Sequence, residues 1–118
     1  MGTFRQNIAF VSADGQRREE LDAQVDTGAT FSSAPADVLE RLGVRPETRV
    51  RLRLANNAVE ERLLGFARAE LVEEERIIPV VFGRTGEPPL IGATTLEIFL
   101  LAVDLVEQRL VPVEGLLL

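Results

Sequence analysis

The feature that most limits what this chain can fold into is the shortness of its apolar runs. Val, Ile, Leu, Thr and Phe occur a few at a time, and Gly, Pro or Asn cuts each stretch. Short segments of this kind bounded by turn residues read as strands, and their repetition favours a mainly β chain with little helix. Arg49–Leu54 is the clearest instance, with Val50, Leu52 and Leu54 alternating with Arg49, Arg51 and Arg53. That period of two describes a half-buried strand. At 118 residues the chain is expected to form one domain over residues 1–118, burying roughly two-thirds of its unfolded surface.

Taken in order, Phe4–Ser12 reads as a strand. Ala13-Asp14-Gly15 reads as a hairpin turn, the Asp-Gly pair favouring type I′, and Arg17–Val25 as the returning strand. Pro35 suits the first turn of a helix reaching Leu42, with Val38, Leu39 and Leu42 on its apolar side and Gly43 as its C-terminal cap. Ala55-Asn56-Asn57-Ala58 reads as the turn of a hairpin over residues 49–64, because Asn tolerates positive φ. A two-residue turn there would set Arg53 opposite Glu60, an exposed pair contributing a fraction of a kcal/mol. Gly65–Val72 alternates again, with Phe66, Ala69 and Leu71 expected inward, and Glu73-Glu74-Glu75 follows as a solvated turn. Ile77–Gly83 is a strongly apolar strand in which Pro79 points to an edge or a bulge. Thr94 or Thr95 is placed to cap a second helix carrying Leu96, Ile98 and Phe99. Leu100–Asp104 and Leu110–Val113 read as a final strand pair, and Gly115–Leu118 as an apolar tail.

Composition removes several chemistries. There is no Cys and no His, which excludes disulfides, thiol or Ser-His nucleophile systems and an ordinary zinc site. Carboxylates remain as the acid-base groups. A formal charge of −6 with acids and bases interspersed argues against nucleic acid as a partner, since phosphate binding needs a basic face. No apolar stretch of about 18 residues and no signal-type N-terminus is present, so no membrane partner is expected and the cytoplasm is the default address.

One stretch stands apart. Ala23-Gln24-Val25 runs as a β-type segment into Asp26-Thr27-Gly28-Ala29-Thr30. That order suits a carboxylate held at a tight turn: Gly28 lets the chain turn and lets amides approach the acid, and Thr27 offers a hydroxyl that can tie one such loop to another. The bare triplet is also what an Asx-type turn looks like. It has an internal echo, however, because Val25–Thr30 can be laid over Pro89–Thr94, matching Gly-Ala-Thr in both places. The second copy has Leu90 where the first has Asp26, so one carboxylate is offered per chain.

A hydrophobic strand into Asp26-Thr27-Gly28-Ala29-Thr30, a short helix, then Leu90-Ile91-Gly92 before another helix and a C-terminal strand resembles the retropepsin-like aspartic proteases. The likeness is nearest to the single-domain bacterial relatives of the retroviral enzymes, whose ends also read like Pro89–Glu97 and the closing Arg109-Leu110-Val111-Pro112-Val113. It extends from about Asn7 to about Val113. The resemblance implies a closed-barrel-like acid-protease fold with one or two short helices and a catalytic Asp26 in an active-site loop completed by Thr27, Gly28 and Ala29. It makes the 49–64 hairpin a flap over bound peptide. Ala55, Asn56, Asn57 and Ala58 at the tip, with Leu90 and Ile91 on the floor, are the expected substrate contacts. The tip departs from the Gly-rich tips of the viral enzymes in being Asn-rich.

Two carboxylates are needed for this chemistry, and Asp22, Asp37 and Asp104 offer no second motif. The second acid is therefore expected from another copy, in a homodimer that needs no metal or cofactor and acts on a peptide or protein substrate. Thr27 would bond across the interface, and Val111, Val113 and the leucine tail are candidates for a dimer sheet. Two readings follow from the sequence: an aspartic endopeptidase, or a peptide-binding or assembly module of the same fold with weak or no turnover.

Overall fold

In the computed structural model, which describes residues 3–117, the expected hairpins form and a short strand is threaded between them. The elements follow as β1 (Phe4–Val11), β2 (Arg18–Val25), β3 (Ser32–Pro35), α1 (Ala36–Arg41), β4 (Thr48–Arg53), β5 (Val59–Leu71), β6 (Glu74–Gly83), β7 (Leu90–Ile91), α2 (Ala93–Ile98), β8 (Leu101–Asp104) and β9 (Arg109–Pro112). Seven strands make one sheet in the order β1-β2-β7-β3-β6-β5-β4, and β1 also pairs with β5. The pairings thus run from β1 round to β5 and back, leaving β4 as the outlying strand. β8 and β9 form a separate two-stranded sheet. The fold is mainly β with two six-residue helices.

The core lies inside this wrapped sheet. Ile8, Phe10, Leu39, Leu71, Ile78, Val80 and Ile91 are each no more than 2% exposed, and each such side chain stabilises the fold by about 1.5–3 kcal/mol on burial. Val38, Leu39 and Leu42 carry α1 onto the sheet, and Gly43, at φ +78°, ends the helix as the sequence implies.

Strand β5 differs from its expectation in three ways. It runs unbroken through Gly65, thirteen residues in all. Its buried side changes there, since Arg62 and Leu64 are buried before Gly65 while Ala67, Ala69 and Leu71 are buried after it. Phe66 consequently points outward, 51% exposed. The alternative phase would have buried Arg68 and half-buried Glu70 with it. A Cβ at Gly65 would lie 2.7 Å from the Arg45 carbonyl oxygen, so glycine is what lets the 44–46 connector press against the strand.

The turns also redistribute. The β1–β2 connection is not type I′. Gly15 N–H donates to the Ser12 carbonyl (2.9 Å), and Gly15 alone takes positive φ, at +74°, giving a type I turn followed by a left-handed glycine. The two-residue turn with both residues at positive φ is Val72 (+49°) and Glu73 (+65°), between the paired Leu71 and Glu74. In the β4–β5 hairpin the loop is longer than two residues, so Arg53 faces Val59 and not Glu60, which lies opposite Leu52. Pro79 lies inside a sheet strand, but β3 pairs only from Val80 onward. Its missing N–H falls where β6 has one neighbour. Neither threonine caps α2: Gly92 occupies the cap position, with no side-chain hydrogen bond.

At the C-terminal end, Leu110 is buried, whereas Leu105, Val106, Val113, Leu116 and Leu117 are exposed. Leu118 lies outside the described residues. No helix among the described residues is long and apolar enough to cross a membrane.

Candidate active site

Strand β7 is what positions Asp26. Only two residues long, it runs parallel to the end of β2, with Gln24 beside Leu90 and Val25 beside Ile91. The ladder extends one bond past each end: Gln24 N–H donates to the Pro89 carbonyl (3.0 Å) and Asp26 N–H to the Ile91 carbonyl (3.0 Å). The chain then turns, Ala29 N–H donating to the Asp26 carbonyl (3.1 Å). The carboxylate is gripped by its own loop, because Gly28 N–H donates to Asp26 Oδ1 at 2.9 Å. Asp26 is half-buried, while Thr27 and Gly28 are exposed. The acid is thus oriented by backbone yet reachable, as the Asp-Thr-Gly order implies.

The two echo segments meet. Ala93 N–H donates to the Ala29 carbonyl (2.8 Å) and Thr94 N–H to the Thr30 carbonyl (3.0 Å), so residues matched in the repeat are bonded to one another. Their packing is tight enough to require Gly92, where a Cβ would stand 2.5 Å from the Phe31 oxygen and 2.8 Å from the Ala29 oxygen. The two halves are not copies throughout: Gly92 enters α2 directly, whereas β3 intervenes between Gly28 and α1.

Sequence reasoning missed what locks this crossing. Ser32 and Thr95 are both fully buried; their hydroxyls lie 2.5 Å apart, and Ser32 Oγ accepts the Gly92 N–H at 3.1 Å. A buried hydroxyl without a partner costs about 1–3 kcal/mol, so the pair fixes β3, Gly92 and α2 together. The available signal was Ser32 alternating with Ala34 on the inward side of a short strand.

The remaining site residues are placed as follows. Ala55, Asn56, Asn57 and Ala58 form the exposed tip of the β4–β5 hairpin. There Asn57 takes φ +73°, and Asn56 Oδ1 accepts the Ala58 N–H at 3.0 Å. Leu90 keeps partial exposure, while Ile91 is fully buried and its carbonyl accepts the Asp26 N–H. Two surface depressions, of about 530 and 290 Å³, lie elsewhere, and Asp26 lines neither. No group of three or more His, Cys, Asp or Glu among the described residues is placed to hold a metal ion.

Among curated proteins none matches this chain significantly. Solved structures do. The simian foamy virus (mac) protease in solution superposes with a TM-score of 0.56 at 14% identity, over 79% of this chain and 91% of that one. A foamy viral protease-reverse transcriptase, solved with an RNA/DNA hybrid, gives 0.58 at 12% identity over 96% of this chain, which corresponds to 13% of that longer one. A retropepsin-like aspartic protease from Rickettsia conorii gives 0.53 at 18% identity, over 87% of this chain and 88% of that one. At such identities the likeness is one of fold, and the fold is retropepsin-like. The model of the aspartyl protease family matches residues 11–94, from the end of β1 through the Asp26 loop to the start of α2. With that match spanning well over half of its length, the chain belongs to the aspartyl protease family.

Proposed function

We propose that this family member is an endopeptidase that works as a symmetric homodimer, with Asp26 of each copy facing the other on the twofold axis. The observation that carries the reading is the geometry of Asp26. It is a half-buried acid at a strand end, its carboxylate fixed by the Gly28 N–H at 2.9 Å, and supplied once per chain because Leu90 stands at the echo position.

Two carboxylates at hydrogen-bond distance cannot both ionise and hold one proton between them. The ionised partner takes a proton from water as the water oxygen bonds to the peptide carbonyl carbon, and the protonated partner donates to the carbonyl oxygen. The partner that took the proton then passes one to the amide nitrogen, while the other takes a proton from a hydroxyl of the diol. Breaking the C–N bond thus releases amine and acid and leaves the pair with its single proton. Thr27 braces the two loops across the twofold, and Gly28 keeps the acid accessible. The hairpin tip at Ala55–Ala58 and the exposed part of Leu90 grip an extended, largely apolar peptide, with Ile91 contributing through the backbone. Val111, Val113, Leu116 and Leu117 supply apolar surface for the subunit contact.

Sedimentation at micromolar concentration tests the dimer. Cleavage of an apolar peptide library from acid to neutral pH, by the parent and by Asp26→Asn, tests the chemistry: the parent cleaves and the variant does not. Equal cleavage by both removes Asp26 from the mechanism. Peptide binding by both without cleavage makes the chain a binding module.

A further inference from the structure

Arg62 is the one charged side chain that the fold buries among the described residues, at 8% exposure. It sits on β5 opposite Val50 of β4, in the lower half of the hairpin. Its guanidinium forks onto Glu87, with Nη2 2.5 Å from Oε2 and Nη1 3.1 Å from Oε1, while Nε donates to Glu60 at 3.0 Å. Glu87 Oε1 also accepts the Arg84 N–H at 2.8 Å, and the Arg84 side chain donates to Glu60 at 3.2 Å. The four residues therefore close a ring between the hairpin and the loop that follows β6.

That loop leads straight to the candidate site. Two residues beyond Glu87, the Pro89 carbonyl accepts the Gln24 N–H, and two residues later the Ile91 carbonyl accepts the Asp26 N–H. The hairpin is thus tied by side chains to a segment that is tied by backbone to Asp26. Burying an ion pair rarely stabilises a fold more than apolar residues of similar volume, because desolvation offsets the attraction. What a forked, two-point contact adds is direction. Glu87 and Glu60 are both held below the usual glutamate range, the Arg62 hydrogen bond being the largest cause for each.

We propose that Arg62 is a positioning residue: through Glu87 it fixes the pivot of the β4–β5 hairpin against the segment carrying Asp26, and so sets how tightly the hairpin closes on bound peptide. This rests on the reading of that hairpin as the cover of a peptidase cleft, and Arg62 itself touches no substrate. The test compares the full chain with Arg62→Met, Arg62→Lys and Glu87→Gln by backbone hydrogen exchange and by peptide cleavage. Arg62→Met and Glu87→Gln are expected to speed exchange of amides in 54–64 by about tenfold or more, with Val25–Thr30 unchanged. KM is expected to rise by about tenfold while kcat stays within about twofold. Arg62→Lys, which keeps the charge and loses the fork, is expected to fall between parent and Met. Equal acceleration along the whole chain, or none in the hairpin, overturns the proposal, as does a loss confined to kcat. Glu87→Gln decides if Arg62→Met fails to fold. A parent that cleaves nothing defeats the peptidase reading alone, and hydrogen exchange still judges the anchor.

Discussion

Replacing Gly92 by alanine should damage the site more than any other single methyl. The added carbon would stand 2.5 Å from the Phe31 oxygen, 2.6 Å from the Phe31 carbonyl carbon and 2.8 Å from the Ala29 oxygen. All three are backbone atoms, so no side chain can swing away. Restoring ordinary contact demands a backbone shift of roughly 1 Å, in a region packed too densely to absorb it. Such overpacking costs about 1–3 kcal/mol. The same shift strains the Ala93 N–H bond to Ala29 and the Gly92 N–H bond to Ser32, each contributing about 1 kcal/mol. The sum, about 3–5 kcal/mol, is a large part of a domain's usual total of about 5–15. Urea unfolding followed by circular dichroism would read it as a midpoint lowered by about 2–3 M at a slope near 1.5 kcal/mol per M. Gly86→Ala is the control, because Gly86 takes φ +88° but has nothing within 4 Å of its missing Cβ. If Gly92→Ala costs no more than Gly86→Ala, the close-approach argument is wrong.

Three further outcomes are expected. Val72→Asn with Glu73→Gly should raise stability by about 1–2 kcal/mol, since a left-handed β-branched residue is strained and Asn-Gly fits this turn; an unchanged urea midpoint would contradict it. Ser32→Ala should lower stability by about 1–3 kcal/mol by stranding the Gly92 N–H and the Thr95 hydroxyl. Adding Thr95→Val should cost less than the sum of the two single changes, and strict additivity would show that the hydroxyls are not coupled. For pH, Glu87 and Glu60 have folded-state pKa values below their ordinary ones. Their contribution is therefore complete above the ordinary glutamate value of about 4.3 and fades as pH falls below it through the depressed values. The urea midpoint should drop less steeply on acidification in Glu87→Gln than in the parent, and parallel profiles would count against the Arg62 ring.

The parts of this fold visible in the sequence are those fixed by neighbours along the chain. Alternation at Val50, Leu52 and Leu54 placed β4, Gly43 ended α1, and the echo of Gly-Ala-Thr marked two segments that prove to touch. What stayed hidden depends on partners far off. Arg62 reads as one more surface charge beside Glu60 and Glu61, and only the arrival of Glu87, twenty-five residues on, makes it a buried one. Thr95 looks like a helix cap until Ser32, sixty-three residues away, claims its hydroxyl. Asp14-Gly15 carries the stronger turn signal, yet the tightest turn falls on Val72-Glu73, because core contacts on both sides leave two residues to join the strands. Phe66 was within reach: residues 66, 69 and 71 cannot share one face of a strand of period two.

The change of buried side along β5 has an evolutionary corollary. Beyond Arg62, towards the hairpin tip, no residue of the strand is buried, so the arm can lengthen or shorten there by matched residue pairs while everything below it keeps its alignment. A single residue inserted between Arg62 and Gly65 would turn the guanidinium to the opposite side, into water. Natural variation in this arm should therefore come in even steps.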